Sequence, residues 1–173
     1  MSDAKQDCRA TATVAITGPG RRSACPTTIA FRRMPNAARK MRALPIQMSV
    51  IGIGVDVIEC SRIQHSIERF GDRFLHRVFT DGEIEYSMSM KFPERHLAAR
   101  FAGKEAVAKA FGTGIGKAMG WRNIDIQKRK SGEPFLVFSG PAEAFAAERG
   151  VISAFITLSH AENYAVACAV LEG

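Results

Sequence analysis

The run from Arg100 to Gly116, RFAGKEAVAKAFGTGIG, constrains this chain more than any other stretch, because its period is helical yet it carries charge among its packing faces. At about 100° per residue, Leu97, Phe101, Ala108 and Phe111 share one stripe, the recurrence of a buried helix face. Ala98, Ala102, Ala106 and Ala110 form a second face of small side chains that lets other backbone approach closely. Lys104 falls inside the first stripe and Glu105 between the two faces. A carboxylate held there must be paired, hydrogen-bonded or metal-bound, because an unpartnered buried charge neutralises or destabilises the fold. The simplest partner is Lys109, as an i, i+4 pair worth about 0.2–0.5 kcal/mol on a solvated helix. Arg100 and Lys104 add two further cations, and the helix exits through Gly112-Thr113-Gly114-Ile115-Gly116. Glycines so dense permit positive φ and close approach, so their amides are candidates to face an anion, although glycine is also the usual helix C-cap.

Upstream, Val50 to Ile58 reads as a strand, with Ile51, Ile53, Val55 and Val57 on one face and Gly52, Gly54 and Asp56 on the other. Two glycines before an acid leave space on that face for Asp56 to reach a ligand or a neighbouring helix; the plain alternative is an acid hydrogen-bonded at a strand end. Cys60-Ser61 opens a helix with Ile63, Ile67 and Phe70 inward and Arg62, His65, Arg69 and Arg73 on the other side. Thr80 to Glu83 has capping-box spacing, and Pro93 stands in the first turn of the central helix. Asn123–Gln127 and Pro134–Phe138 read as a hairpin around Ser131-Gly132, followed by a short helix to Arg149 and strands over 152–158 and 165–171. His160 lies just after the first of these strands; a histidine there is commonly structural, yet a free ring can donate to a phosphate.

The net charge of +7 suggests nucleic acid until it is located along the chain. Residues 1–47 hold 9 Lys/Arg and 2 Asp/Glu, giving +7; residues 48–173 hold 15 of each, giving zero. The first segment, with four of the seven prolines and no sustained period, reads as a disordered basic extension. It is either an arm for nucleic acid or an anionic surface, or sequence upstream of a true start at Met48. The neutral remainder argues against a nucleic-acid-binding module. Residues 48–173 form one domain's worth of chain. No apolar run approaches the ~20 residues of a membrane span, and four scattered cysteines show neither zinc-site spacing nor a disulfide framework. Free thiols fit a reducing, cytoplasmic setting.

Taken together, Gly52-Ile53-Gly54-Val55-Asp56, Arg62-Ile63, Phe101-Ala102-Gly103-Lys104-Glu105-Ala106, Lys109-Ala110-Phe111-Gly112-Thr113-Gly114, Gly132-Glu133-Pro134 and Leu158-Ser159-His160 resemble, in order, the holo-[acyl-carrier-protein] synthases. These are the short, single-unit branch of the 4′-phosphopantetheinyl transferases. The resemblance covers Met48 to the C-terminus. It implies an α+β fold, a small antiparallel-rich sheet against a long central helix, assembled as a homotrimer with each site at a subunit boundary. It implies that Asp56 and Glu105 bind magnesium and, with Lys109, form the catalytic group. Arg100, Lys104, Lys109 and His160 match positions lining the phosphate-rich end of coenzyme A, and Gly112, Thr113 and Gly114 the segment near its nucleotide. Arg62 and Arg69 match the helix that docks acidic acyl carrier protein. The implied reaction moves 4′-phosphopantetheine from coenzyme A to a carrier serine in fatty acid biosynthesis, releasing adenosine 3′,5′-bisphosphate. The acceptor of the serine proton stays open between a hydroxide on the metal and a carboxylate such as Glu105. A nucleotide hydrolase or another phosphotransferase would use the same metal site, and would release phosphate without a carrier.

Overall fold

The computed structural model describes residues 49–173, so the basic extension lies outside the described residues. Five strands and five helices follow in the order β1 (Val50–Glu59), α1 (Cys60–Phe70), α2 (Asp72–Val78), α3 (Asp81–Met88), α4 (Pro93–Ala110), β2 (Ile124–Lys128), β3 (Pro134–Phe138), α5 (Pro141–Glu148), β4 (Ser153–His160) and β5 (Tyr164–Glu172). A 3-10 turn, Trp121–Asn123, precedes β2. All strand pairings are antiparallel, and they make two sheets: a three-stranded one in the order β1-β5-β4, and the β2-β3 hairpin.

The local signals act as expected. Thr80 caps α3 with the reciprocal Glu83 bonds of a capping box, and Pro93 occupies the first turn of α4, where its missing N–H costs no hydrogen bond. Packing then decides which face of each element is inside. The glycine face of β1 lies against α4 so closely that a Cβ on Gly54 would penetrate the carbonyl oxygen of Ala106 and stand 2.6 Å from the amide nitrogen of Ala110. Gly52 meets the Ala110 carbonyl in the same way. The alanine face of α4 is thus a backbone-to-backbone seam, completed from β5 by buried Ala165, Ala167 and Ala169. Leu97, Val107, Ala108 and Phe111 are also buried, so α4 is enclosed on most of its circumference.

The other face of the three-stranded sheet is apolar and open. Ile53 is 65% exposed and Val57 64%, and Ile51, Val55, Phe155, Tyr164 and Val166 join them. An alternating strand ordinarily buries its large side chains and exposes its small ones; β1 does the reverse, because only glycine admits the α4 backbone. One further expectation is corrected. Phe70 is half exposed, with the Arg69 guanidinium 5.0 Å from its ring centre, because α1 ends there; of Ile63, Ile67 and Phe70 only Ile63 is buried.

Candidate functional site

Three chemically competent side chains meet where β1 crosses the second half of α4. Asp56 stands on the helix-facing side of β1, beyond the two glycines. Lys109, in the last turn of α4, donates from Nζ to Asp56 Oδ1 at 2.8 Å and to the Val55 carbonyl at 3.1 Å. The i, i+4 pair of Glu105 with Lys109, the plainest reading of the helix, does not form, and the ammonium is taken by Asp56. Glu105 is left with no ion-pair partner among the described residues. Its carboxyl is held above the usual carboxylate range, first by burial and then by the negative charge of Asp56, with Lys109 opposing. Two carboxylates that feel each other's charge, with one cation between them, are short of positive charge. That donor set suits a hard divalent cation such as magnesium, which accepts one or two carboxylates and fills the rest of its shell with water and phosphate oxygens. Among the described residues, no group of three or more His, Cys, Asp or Glu side chains is positioned to hold a metal unaided.

Lys104 is not part of this cluster. Its ammonium is wholly buried and ion-paired to Glu83 at 2.7 Å, and it donates to the carbonyls of Val78 at 3.0 Å and Trp121 at 2.7 Å. Three acceptors use its three protons. Glu83 is saturated as well, accepting from the Thr80 amide at 2.8 Å and the Ile126 amide at 3.0 Å. Lys104 thus ties α4 to α2, α3 and the 3-10 turn before β2, where a phosphate-binding role was expected. The glycine-rich exit is corrected in the same sense. The amides of Gly112, Thr113 and Gly114 bond to the Lys109 and Ala108 carbonyls, with φ of 72° at Gly112 and 66° at Gly114. They cap the helix and do not face an anion.

Arg100 belongs to a second centre. At about 100° per residue it falls opposite Lys109 on α4, and it is buried. Its guanidinium lies 4.3 Å from the Tyr86 ring centre and donates to the His96 carbonyl at 3.2 Å, while its Nε has no partner among the described residues. His160 ends β4 with its ring 4.7 Å from that of His96. Arg100 and His160 therefore come together, on the far side of α4 from Asp56, Glu105 and Lys109. His96, Tyr86 and Lys128 were missed by sequence reasoning. The usable signal was that His96 precedes Arg100 by one turn and must share its face. Arg62 and Arg69 are exposed on α1, beside His65.

The model of the 4′-phosphopantetheinyl transferase superfamily matches residues 52–169, nearly all of the described chain. The chain belongs to that superfamily. The match spans both clusters, from β1 through β5. Holo-[acyl-carrier-protein] synthase of Chlamydia trachomatis serovar L2 is 46% identical over 123 residues, 71% of this chain and 100% of the relative. The crystal structure of the Neisseria meningitidis synthase superposes with a TM-score of 0.68 at 34% identity, covering 72% of this chain and all of that one. The Helicobacter pylori synthase, solved in complex with coenzyme A, gives 0.63 at 29%, over 69% of this chain and 98% of its own.

Proposed function

We propose that this chain is a magnesium-dependent holo-[acyl-carrier-protein] synthase that moves 4′-phosphopantetheine from coenzyme A to a serine of apo acyl carrier protein. The observation that carries the reading is the Asp56–Lys109–Glu105 cluster, an acid pair short of one cation. Asp56 and Glu105 hold the magnesium, which when bound supplies charge neutralisation at the pyrophosphate. Lys109 draws Asp56 into position and offers its ammonium to the phosphate oxygens, where negative charge grows as the bond to the leaving adenosine 3′,5′-bisphosphate breaks. The serine oxygen forms the new bond to the β-phosphorus as the bond to the leaving bisphosphate breaks, and it gives up its proton to a base at this cluster. Arg100 and His160 bind the remaining phosphate of coenzyme A. Gly112, Thr113 and Gly114 flank the nucleotide by close backbone approach. Arg62 and Arg69 meet the acidic carrier.

The protein works as a cytoplasmic homotrimer. Two observations support assembly: the open apolar face of the β1-β5-β4 sheet, and the placement of the two phosphate-handling centres on opposite sides of α4. A complete site then joins the Asp56 cluster of one copy to the Arg100 cluster of the next. Among the described residues no helix is long and apolar enough to cross a membrane. The test is intact-mass analysis of apo acyl carrier protein incubated with the chain, coenzyme A and magnesium. The carrier gains one phosphopantetheine; an unchanged mass rejects the reading.

A further inference from the structure

The cationic centre contains a second histidine whose role can be worked out from its neighbours, given the reading of the chain as a coenzyme A-dependent transferase. His160 ends its strand with an exposed side chain. Its ring is fixed by His96, whose ring meets it at 74° and 4.7 Å between centres. His96 is backed on its other side by Tyr86, at 83° and 5.9 Å. Tyr86 in turn carries Arg100 against its ring and accepts from Lys128 Nζ at 3.3 Å. The support for His160 thus runs through α3, α4 and β2.

Cations dominate the surroundings of both rings. Arg95 and Arg100 face both from α4, and Lys128 reaches His96 from β2. Among the described residues, neither Arg100 nor Lys128 has a carboxylate within ion-pair distance, and Glu83 and Asp125 reach Arg100 only as more distant charges. Arg95 has only Glu94, 3.7 Å from its Nε. A buried guanidinium with an unpartnered Nε and no acid beside it is suited to an anion arriving from outside.

We propose that His96 positions His160 against a phosphate monoester of the substrate, and that the two imidazoles together take up one proton when that dianion binds. At pH 7.5 both shifts favour the neutral ring in the free protein. Burial, then competition with His160 for a proton and the charge of Arg100, push His96 down to about 4; partial burial of its ring, then Arg95 and Arg100, lower His160. A bound dianion reverses the sign of the field and favours the imidazolium. Two rings in contact cannot both be charged without strong repulsion, so the pair gains one proton and not two. The ribose phosphate of coenzyme A is the monoester this arrangement fits. His96 is a positioning residue, since it acts through His160.

The test is calorimetric titration of the full chain with coenzyme A at pH 7.5, in buffers of different ionisation enthalpy. The dependence of the apparent heat on the buffer reports protons taken up. The expected uptake is about one proton for the unmutated chain; it disappears in His160→Gln and with dephospho-coenzyme A, which lacks the monoester. His96→Ala raises the KM for coenzyme A roughly tenfold, the size of one lost charge-assisted hydrogen bond, with kcat retained. His96→Phe, which keeps a ring in the stack, restores both KM and proton uptake. Binding and transfer without proton uptake overturn this inference alone, as does a His96→Phe protein that folds but is as impaired as His96→Ala. Failure of the unmutated chain to bind coenzyme A overturns the proposed function together with the inference.

Discussion

Replacing Lys104 by methionine separates a phosphate ligand from a structural ion pair. The substitution keeps the aliphatic stem and removes an ammonium with no exposed surface. Glu83, itself 1% exposed, keeps the Thr80 and Ile126 amides but loses its counter-charge, and the Val78 and Trp121 carbonyls lose a donor. Breaking a buried pair from one side costs about 3–5 kcal/mol, a large part of the roughly 5–15 kcal/mol that holds a domain together. The double variant Lys104→Met/Glu83→Gln removes both charges, so it should recover at least about half of that loss. Urea unfolding followed by fluorescence of Trp121, the one tryptophan in the chain, measures both variants beside the unmutated protein. Because the ammonium lies outside the Asp56 cluster, the folded double variant should retain a coenzyme A KM within about twofold of normal. A single variant that loses under about 1 kcal/mol while transfer collapses would refute the structural assignment and return Lys104 to the phosphates.

Three further outcomes are expected. Glu105→Gln abolishes most transfer but raises the unfolding temperature of the metal-free protein at pH 7. The raised carboxyl means that native stability from Glu105 is fully present below the unfolded carboxylate range and is lost as pH rises through the folded value, so the gain vanishes in acid; melting curves between pH 3.5 and 7.5 check it, and an unchanged neutral-pH curve counts against the charge crowding. Reversing charge at Arg62 and Arg69 together raises the KM for carrier protein, less so as salt is added, and leaves the KM for coenzyme A unaltered in steady-state assays with each substrate varied. A chain beginning at Met48 folds and transfers as well as the full chain, since the family match starts at residue 52; circular dichroism and the intact-mass assay decide this, and loss of either property assigns work to the basic extension.

Local chemistry in the chain was sufficient to place most elements. The capping box at Thr80, Pro93 at the head of α4, the period-two run of β1 and the hairpin at Gly132 each act within a few residues, so linear order states them directly. The pairing of Asp56 with the second half of α4 was also partly legible, because two glycines ahead of an acid on one strand face match alanines at helical spacing. Periodicity, however, says which residues share a face and is silent about what that face meets. Only the tertiary structure decided that β1 buries its glycines and leaves Ile53 and Val57 open, since the deciding contact is with backbone of α4 some fifty residues away. Ion-pair partners are equally non-local. Lys109 had Glu105 one turn away and took Asp56 from another element, while Lys104 found Glu83, whose capping role at Thr80 had already accounted for it in the sequence. The glycine amides close the helix by bonding to the free Lys109 and Ala108 carbonyls of its last turn. Which side of α4 Arg100 and Lys109 occupy follows from residue spacing; that the two sides are separate clusters follows from what is packed between them.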